Sequence, residues 1–278
     1  LAYSPPTAGS AGSISVRVKV TNLSGHKLPT GYAEGRRMWL NVKALSATDA
    51  VVAESAAYDG TTGVLTEDAQ AKVYEVLQGI WTSGPPAECK IEEAGKKQFH
   101  FVLNNCVRKD NRIPPRGFAN AAFEAAGAPV VEHEYADGQY WDDVPFTIPV
   151  NAVRASVAVY YQNTPKHYIE MLRDNNTSNS WGDDLYEAWV ATGKGAPIEM
   201  VTSTLDFGQV CHADLDSPEG SGEPDGAVTI DDLLAFLNAF EQGTPVADLD
   251  EGTGKGTPDL GVTIDDLLFF LVHFEAGC

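Results

Sequence analysis

The chain reads Pro224-Asp-Gly-Ala-Val-Thr-Ile-Asp-Asp-Leu-Leu-Ala-Phe-Leu-Asn-Ala-Phe240, then, 34 residues on, Pro258-Asp-Leu-Gly-Val-Thr-Ile-Asp-Asp-Leu-Leu-Phe-Phe-Leu-Val-His-Phe274. Twelve of the seventeen aligned positions are identical. Leu233, Leu234, Phe236, Leu237 and Phe240 recur at helical spacing, as do Leu267, Leu268, Phe270, Leu271 and Phe274. Thr229 and Thr263 are good N-caps, each with an acid three residues later. Neither helix can bury its apolar stripe alone. Two copies packed against each other can, which is a physical reason for writing the unit twice.

Ahead of each helix lies a pattern of oxygen donors. In a calcium loop of the EF-hand type, acids supply early ligands, a glycine permits a sharp turn, a backbone carbonyl follows, and a last acid sits on the incoming helix. Asp225 takes the fifth place, Ala227 offers its carbonyl, and Asp232 takes the twelfth. Asp259, Gly261 and Asp266 match them in the second copy, and Val228 and Val262 are the apolar residues expected to pair the loops. Asp214 and Asp216, and 34 residues later Asp248 and Asp250, look like positions one and three. Eight residues rich in Gly, Ser and Pro (217–224 and 251–258) then separate each pair from the next acid, where an ordinary loop has one. A different register would put Ser221 and Lys255 first, and a lysine is a poor calcium ligand. The plain alternative is a helical hairpin with capped ends, which does not demand acids at repeated offsets.

The stretch 211–278 resembles a dockerin, a doubled calcium loop–helix module. The likeness is greatest to the variant ending in Gly-Cys, here Gly277-Cys278, with a Cys just before the first loop, here Cys211. The resemblance implies a small all-α domain over 206–278 with calcium as its cofactor and no catalysis of its own. It implies a protein partner, a cohesin-like β-sandwich, and assembly outside the cell. It also implies that a Cys211–Cys278 bond would tie the module's ends together.

Charge agrees with a cation-binding tail. The formal net charge of the chain is −20. Residues 211–278 carry fifteen Asp and Glu against one Lys. Such a field repels nucleic-acid phosphates and anionic membranes and attracts cations. No run of about 18 apolar residues occurs, so no membrane span is expected. The four cysteines, Cys89, Cys106, Cys211 and Cys278, suit an exported, oxidised protein. Three pairings are open, and proximity favours Cys89–Cys106. There is no CxxC zinc pair and no CxxCH haem attachment site. The opening LAYSPPTAGSAGS reads as a mature or trimmed end, with 1–12 expected to be an extended segment.

The residues before the repeat are rich in strand patterns. Residues 13–20 alternate, with Ile14, Val16, Val18 and Val20 on one face, and 38–44, 51–57, 98–103, 155–161 and 198–205 are further strand candidates. The expected fold over 13–205 is mainly β, an antiparallel Ig-like sandwich, interrupted by helices at 165–173, capped by Thr164, and 184–192, capped by Asp183. Pro145–Pro149 reads as an extended connection. Four stretches, GHKLPTGYAEGRRMWL (25–40), KDNRIPPRGF (109–118), DGQYWD (137–142) and LYEAWVATGK (185–194), resemble the β-sandwich domain attached to multihaem c-type cytochromes in some bacteria. Without CxxCH, that resemblance implies a fold and an extracellular setting but no electron transfer by this chain.

Other readings compete within this domain. His26, Glu34 and Arg36 are an acid–base set on one loop, against the blander reading of a loop locked by an Arg–Glu pair and a buried Trp39. Oxygen-rich segments at 59–68, 137–143, 174–179 and 183–184 are possible calcium turns, although turns use Asp and Asn anyway. Asn22-Leu23-Ser24 and Asn175-Asn176-Thr177 match glycosylation sequons. His100 is read as the outer face of a strand, and the five Trp and ten Tyr raise sugar stacking as a secondary idea.

The expected function is that of a non-catalytic, secreted or cell-surface calcium-binding assembly protein. Its module is expected to hold either a cohesin-like partner or another copy of the chain, the latter building a homo-oligomer or filament. The alternatives are a haem-less accessory of a multihaem cytochrome system, or a dockerin-borne polysaccharide-active protein with Glu34, Glu132 and Glu134 as nominal carboxylates.

Overall fold

The computed structural model describes residues 2–3, 7–8, 13–31, 33–82, 88–90, 97–99, 102, 104–149, 152–207, 212–215, 227–254 and 256–277. The strands, in chain order, are β1 (Ala2–Tyr3), β2 (Thr7–Ala8), β3 (Ser13–Thr21), β4 (Arg37–Leu45), β5 (Val51–Ser55), β6 (Tyr58–Asp59) and β7 (Val64–Leu65). They continue with β8 (Lys72–Trp81), β9 (Cys89–Lys90), β10 (Cys106–Asp110), β11 (Trp141–Pro149), β12 (Arg154–Gln162) and β13 (Ile198–Asp206). The helices are α1 (Asn120–Ala125), α2 (Lys166–Asn175), α3 (Trp181–Ala191), α4 (Ile230–Gln242) and α5 (Ile264–Ala276).

Strand β3 explains the architecture. Its alternation puts Ile14, Val16, Val18 and Val20 on one buried face. It pairs antiparallel with β11 along nine residues, and with β1 and β2. The second sheet runs β10-β8-β4-β12-β13, with β5 also on β4 and β9 also on β8. Val144, Phe146 and Ile148 of β11 join the β3 residues to meet Met38, Leu40, Val42 and Ala44 of β4 and Ala155, Val157 and Val159 of β12 in one core. Two antiparallel sheets packed face to face are the expected sandwich.

Strand β4 is buried on its other face too. Arg37, Trp39 and Asn41 point away from the core yet are almost wholly covered. Leu65 and Tyr58 of the β6–β7 hairpin, with Tyr160 of β12, pack over Trp39. The helices α2 and α3 pack on each other nearby: Trp189 of α3 sends its indole N–H to the Thr164 carbonyl at 2.8 Å.

Several expectations need correction. Trp141–Pro149 is a full strand, not a connection; among the described residues it pairs with β3 alone, and as such an edge it tolerates Pro145, which lacks an amide donor. The ten-residue β8 escaped the alternation test because its face carries buried Glu75 and Gln78 among apolar residues. Described residues near the expected 98–103 strand are irregular, although the Gln98 carbonyl accepts from Gln78 at 2.9 Å; His100 lies outside the described residues. Helix α2 begins after Pro165 with no side-chain cap, the Thr164 hydroxyl donating to Asn163 Oδ1 instead. Helix α3 starts three residues before Asp184, so Asp183 lies in its first turn rather than at its cap. Cys89 and Cys106 form a disulfide, as proximity suggested, while Cys211 and Cys278 lie outside the described residues.

Candidate metal centre in the doubled loop–helix unit

Helices α4 and α5 begin as their sequence asks. Thr229 and Thr263 each accept a hydrogen bond from the amide two residues on, and Asp232 and Asp266 reach back to the cap amides at 2.7 Å. Both capping boxes are complete, which satisfies donors that a helix start leaves orphaned. Between the helices, Phe236 and Phe270 stack with centroids 4.0 Å apart and planes at 6°. These two residues occupy the same place in the repeat. Around them gather other such pairs: Ala213 with Ala247, Leu215 with Leu249, Val228 with Val262, Leu233 with Leu267, and Phe240 with Phe274. The two copies therefore share one core about a local two-fold relation.

The second loop can be followed residue by residue. Asp248 is 4% exposed and accepts from the amides of Asp259 (3.0 Å) and Leu260 (2.8 Å). Asp250 is equally buried and accepts from Gly254 (2.7 Å) and Gly256 (2.8 Å). The described part of the long segment thus turns its Gly254 and Gly256 amides onto one carboxylate, and Gly252, Gly254 and Gly256 supply the positive φ angles (+84°, +70°, +69°) that the turn needs. Asp266 has no exposure and accepts four bonds: from the amides of Leu249 (2.6 Å), Asp250 (2.8 Å) and Thr263 (2.7 Å), and from the Thr263 hydroxyl (3.3 Å). Burial raises its pKa, and the amides of Asp250, Thr263 and Leu249 outweigh that, leaving it below the usual carboxylate range. Asp259 is exposed and accepts from the Gly261 amide at 2.9 Å.

This network brings Asp248, Asp250, Asp259, Gly261 and Asp266 into one hydrogen-bonded loop system. Numbered so that Asp248 is first, Leu260 falls at position six, where a calcium loop needs its sharp turn and glycine. Leu260 has φ +71°, and Gly226 stands at the same place in the first copy. In the first loop, Asp214 is buried, Ala227 is exposed, and Asp232, with no exposure, accepts from the Leu215 amide at 2.7 Å, the same bond that Leu249 makes to Asp266. Asp216 and Asp225 lie outside the described residues.

Among the described residues, no three His, Cys, Asp or Glu side chains form a cluster able to hold a metal ion. The donor chemistry nonetheless suits a hard cation. Asp214, Asp232, Asp248, Asp250 and Asp266 are all buried, which is costly for carboxylates without compensating charge. Asp248 and Asp266 have no Lys or Arg partner among the described residues. Asp248 spends two of its roughly four acceptor sites on amides. Asp266 spends all four, so a cation there would displace one, most readily the 3.3 Å hydroxyl.

Two features of this unit escaped the sequence. His212, Phe269 and His273 form an aromatic group against Gly256, with His212 pushed down to about 4 by burial and by His273, against an opposing pull from Asp250. The helices also keep a second apolar face. Ile230, Leu234 and Leu237 are 59%, 58% and 42% exposed, and their repeat mates Ile264, Leu268 and Leu271 are 60%, 55% and 40% exposed.

The competing sites in the sandwich resolve differently. His26 is exposed and Glu34 is buried; Arg36 donates to the Thr30 carbonyl at 2.9 Å, and Trp39 is buried as expected. The first sequon is closed. Asn22 has no exposure, and its amide nitrogen donates to the carbonyls of His26, Ile113 and Pro114. Asp59, Asp68 and Asp137 are engaged by local amides and side chains, and Asp142 by Lys72 and His133.

No family model and no curated protein matches the chain. Among solved structures, it is similar to a penta-heme cytochrome c552 from Thermochromatium tepidum, at 16% identity and a TM-score of 0.40. The similarity covers 72% of this chain and 37% of that one. At that distance the likeness assigns no activity here.

Proposed function

We propose that this chain is a non-catalytic, extracellular, calcium-binding assembly protein whose doubled loop–helix unit couples it to a protein surface. The observation that carries the reading is the repeated apolar triad, Ile230/Leu234/Leu237 and Ile264/Leu268/Leu271, left uncovered on helices whose neighbouring faces are already spent on each other. Exposed apolar faces of this regularity mark interaction sites. Calcium would be held by Asp214, Asp216, Asp225, the Ala227 carbonyl and Asp232 in one loop, and by Asp248, Asp250, Asp259, the Gly261 carbonyl and Asp266 in the other. It would supply positive charge beside the buried Asp248 and Asp266, which have no Lys or Arg partner among the described residues. The loops fix where the helices begin, and so hold both triads in place.

The partner favoured by the rest of the chain is another copy of itself. The sandwich ends in an edge strand, β13, with Ile198, Met200 and Val201 65%, 46% and 42% exposed. A long apolar edge strand is a surface that proteins usually cover. Helix triads on one copy meeting the edge of the next would be a heterologous contact, which propagates. The Cys89–Cys106 disulfide supports an oxidising setting, and among the described residues no helix is long and apolar enough to cross a membrane.

Light scattering of the purified chain, before and after chelation and after calcium is restored, tests the reading. Particle mass should fall on chelation and recover. Asp232→Ala with Asp266→Ala should abolish association. A calcium-dependent change in fold with a monomer throughout would point to a cohesin-like partner instead. Association unchanged in chelator would refute the calcium reading.

A further inference from the structure

The outward face of the β3–β11 sheet carries positive charge in a chain whose formal net charge is −20. Register puts it there. The inward positions of both strands enter the core, so Arg17, Lys19 and Thr21 of β3 share the opposite face with Trp141, Asp143 and Pro145 of β11. Asp143 is spent on Arg17, at 3.2 Å. Lys19 stands over the Trp141 ring at 4.4 Å, Trp141 meets Tyr140 edge-on at 5.3 Å, and Arg116 lies over Tyr140 at 5.1 Å. The result is a row of cation, two aromatics and cation, with Arg116 exposed and the other three half-buried.

These two cations differ from most others in the chain. Lys27, Lys72, Lys97, Arg112 and Arg154 each lie against a carboxylate. Lys19 and Arg116 have no carboxylate partner among the described residues. Stacking on a ring leaves the edges of a guanidinium and the hydrogens of an ammonium free to bond outward. It also holds in place side chains that would otherwise lose rotamer freedom on binding.

Unpaired charge of the opposite sign lies in the loop–helix unit. Glu241 and Glu275 are repeat mates, 34 residues apart, each second from the end of its helix. Both are exposed, and neither has a Lys or Arg partner among the described residues. A carboxylate there sits at the negative end of the helix dipole, a cost that an external cation would offset.

We propose that the Lys19–Trp141–Tyr140–Arg116 row is a docking surface for the acidic loop–helix unit of a second copy, with Glu241 and Glu275 as the carboxylates it receives. Charge complementarity selects this occupant. Residues 211–278 hold fifteen Asp and Glu against one Lys, and among the described residues the two unpaired sets do not meet within one chain. The β3–β11 pairing is nine residues long, roughly 30 Å, and two strands wide. The contact is therefore small, belongs among weak ones, and weakens with salt. It goes beyond the calcium-dependent contact proposed above, since it needs neither β13 nor the apolar triads.

The test uses the full chain at saturating calcium, carrying Leu234→Ser and Leu268→Ser to remove the apolar contact and leave this one. Sedimentation velocity should show association at about 10 mM salt that is lost at about 1 M, where charges are screened beyond roughly 3 Å. Adding Lys19→Gln with Arg116→Gln should weaken it about fivefold to tenfold, the worth of two partly exposed ion pairs. Lys19→Glu with Arg116→Glu should abolish it, and Glu241→Lys with Glu275→Lys in the same chain should restore it; if the reversed chain fails to fold, the glutamine pair decides. Carbodiimide coupling of mixed unlabelled and isotope-labelled chains should join Lys19 of one copy to Glu241 or Glu275 of another. The inference is overturned by a monomer at low salt and millimolar concentration, by association that the glutamine pair retains at full strength, or by Lys19 coupling confined to its own chain or to acids outside 211–278. Binding of polygalacturonate, the probe for an acidic polysaccharide, by a chain that stays monomeric would overturn it too. Chelation of the unaltered chain tests the other contact, so the two can fail separately.

Discussion

Leu260 stands at the sharp turn of the second loop with φ +71°, in a conformation that costs an L-residue roughly 1–2 kcal/mol. Its side chain is 86% exposed, so removing it sacrifices almost no burial. Leu260→Gly should release the strain and restore the residue found at the same place in the first copy, Gly226. Against this gain stands the greater freedom of glycine in the unfolded chain, worth about 0.4–1 kcal/mol. The net expectation is stabilisation of the loop–helix unit by about 0.5–1 kcal/mol. Urea unfolding, followed by far-ultraviolet circular dichroism at saturating calcium, measures it, and calorimetry should show tighter calcium binding by a small factor. Leu260→Ala is the control: it removes the same side chain but keeps the strained Cβ, and should gain nothing. If Leu260→Gly destabilises the unit, or if alanine gains as much as glycine, the left-handed turn at position six is wrong, and the register of the loop with it.

Gly256→Ala should cost at least about 2 kcal/mol, because its Cβ would lie 2.9 Å from Phe269 Cζ and 3.1 Å from His212 at φ +69°; Gly254→Ala, with open space and a similar φ, should cost about half that in the same melt. Leu234→Asp with Leu268→Asp should leave monomer stability within about 0.5 kcal/mol, since both side chains are exposed, while abolishing association in light scattering. Glu75, fully buried between Lys97 and Lys109 at 3.0 Å each, has its pKa raised by burial and lowered further by the two ammonium groups, to a net value below the ordinary 4.5. Its contribution is therefore complete above that value and is lost as pH falls through the folded pKa. Glu75→Gln should cost about 3 kcal/mol at pH 7 in urea unfolding and flatten the acid limb of the stability profile.

In the sandwich, legibility followed alternation. Strand β3 was readable because one face is core and the other is wet, so Ile14, Val16, Val18 and Val20 stand out. Strand β8 was not, because it lies inside a sheet covered on both faces, and Glu75 and Gln78 are buried by ion pairing and packing rather than exposed by alternation. Strand β11 was hidden by Pro145, which looks like a breaker until the strand is seen to be an edge. The row from Lys19 to Arg116 could not be read at all, since it depends on the cross-strand register that brings Lys19 over Trp141. Asn22 shows the reverse hazard: a sequon is a statement about three letters, and here the asparagine is a buried strut.

The loop–helix unit was more legible because its sequence says everything twice. A hydrogen bond seen in one copy, such as Leu249 to Asp266, has its mate in the other, Leu215 to Asp232. The repeat also contained a warning that a single stripe overlooks. Leu233-Leu234 and Leu267-Leu268 are adjacent, and adjacent residues on a helix point about 100° apart. Both members of a doublet cannot enter a narrow seam. Leu233 and Leu267 turn toward the stacked phenylalanines, and Leu234 and Leu268 turn out to solvent with Ile230, Leu237, Ile264 and Leu271. A helix that served only to close the hairpin would carry polar residues there. The outward leucines therefore ask for a partner, and because the helices repeat about a two-fold relation, they ask for it with two equivalent faces.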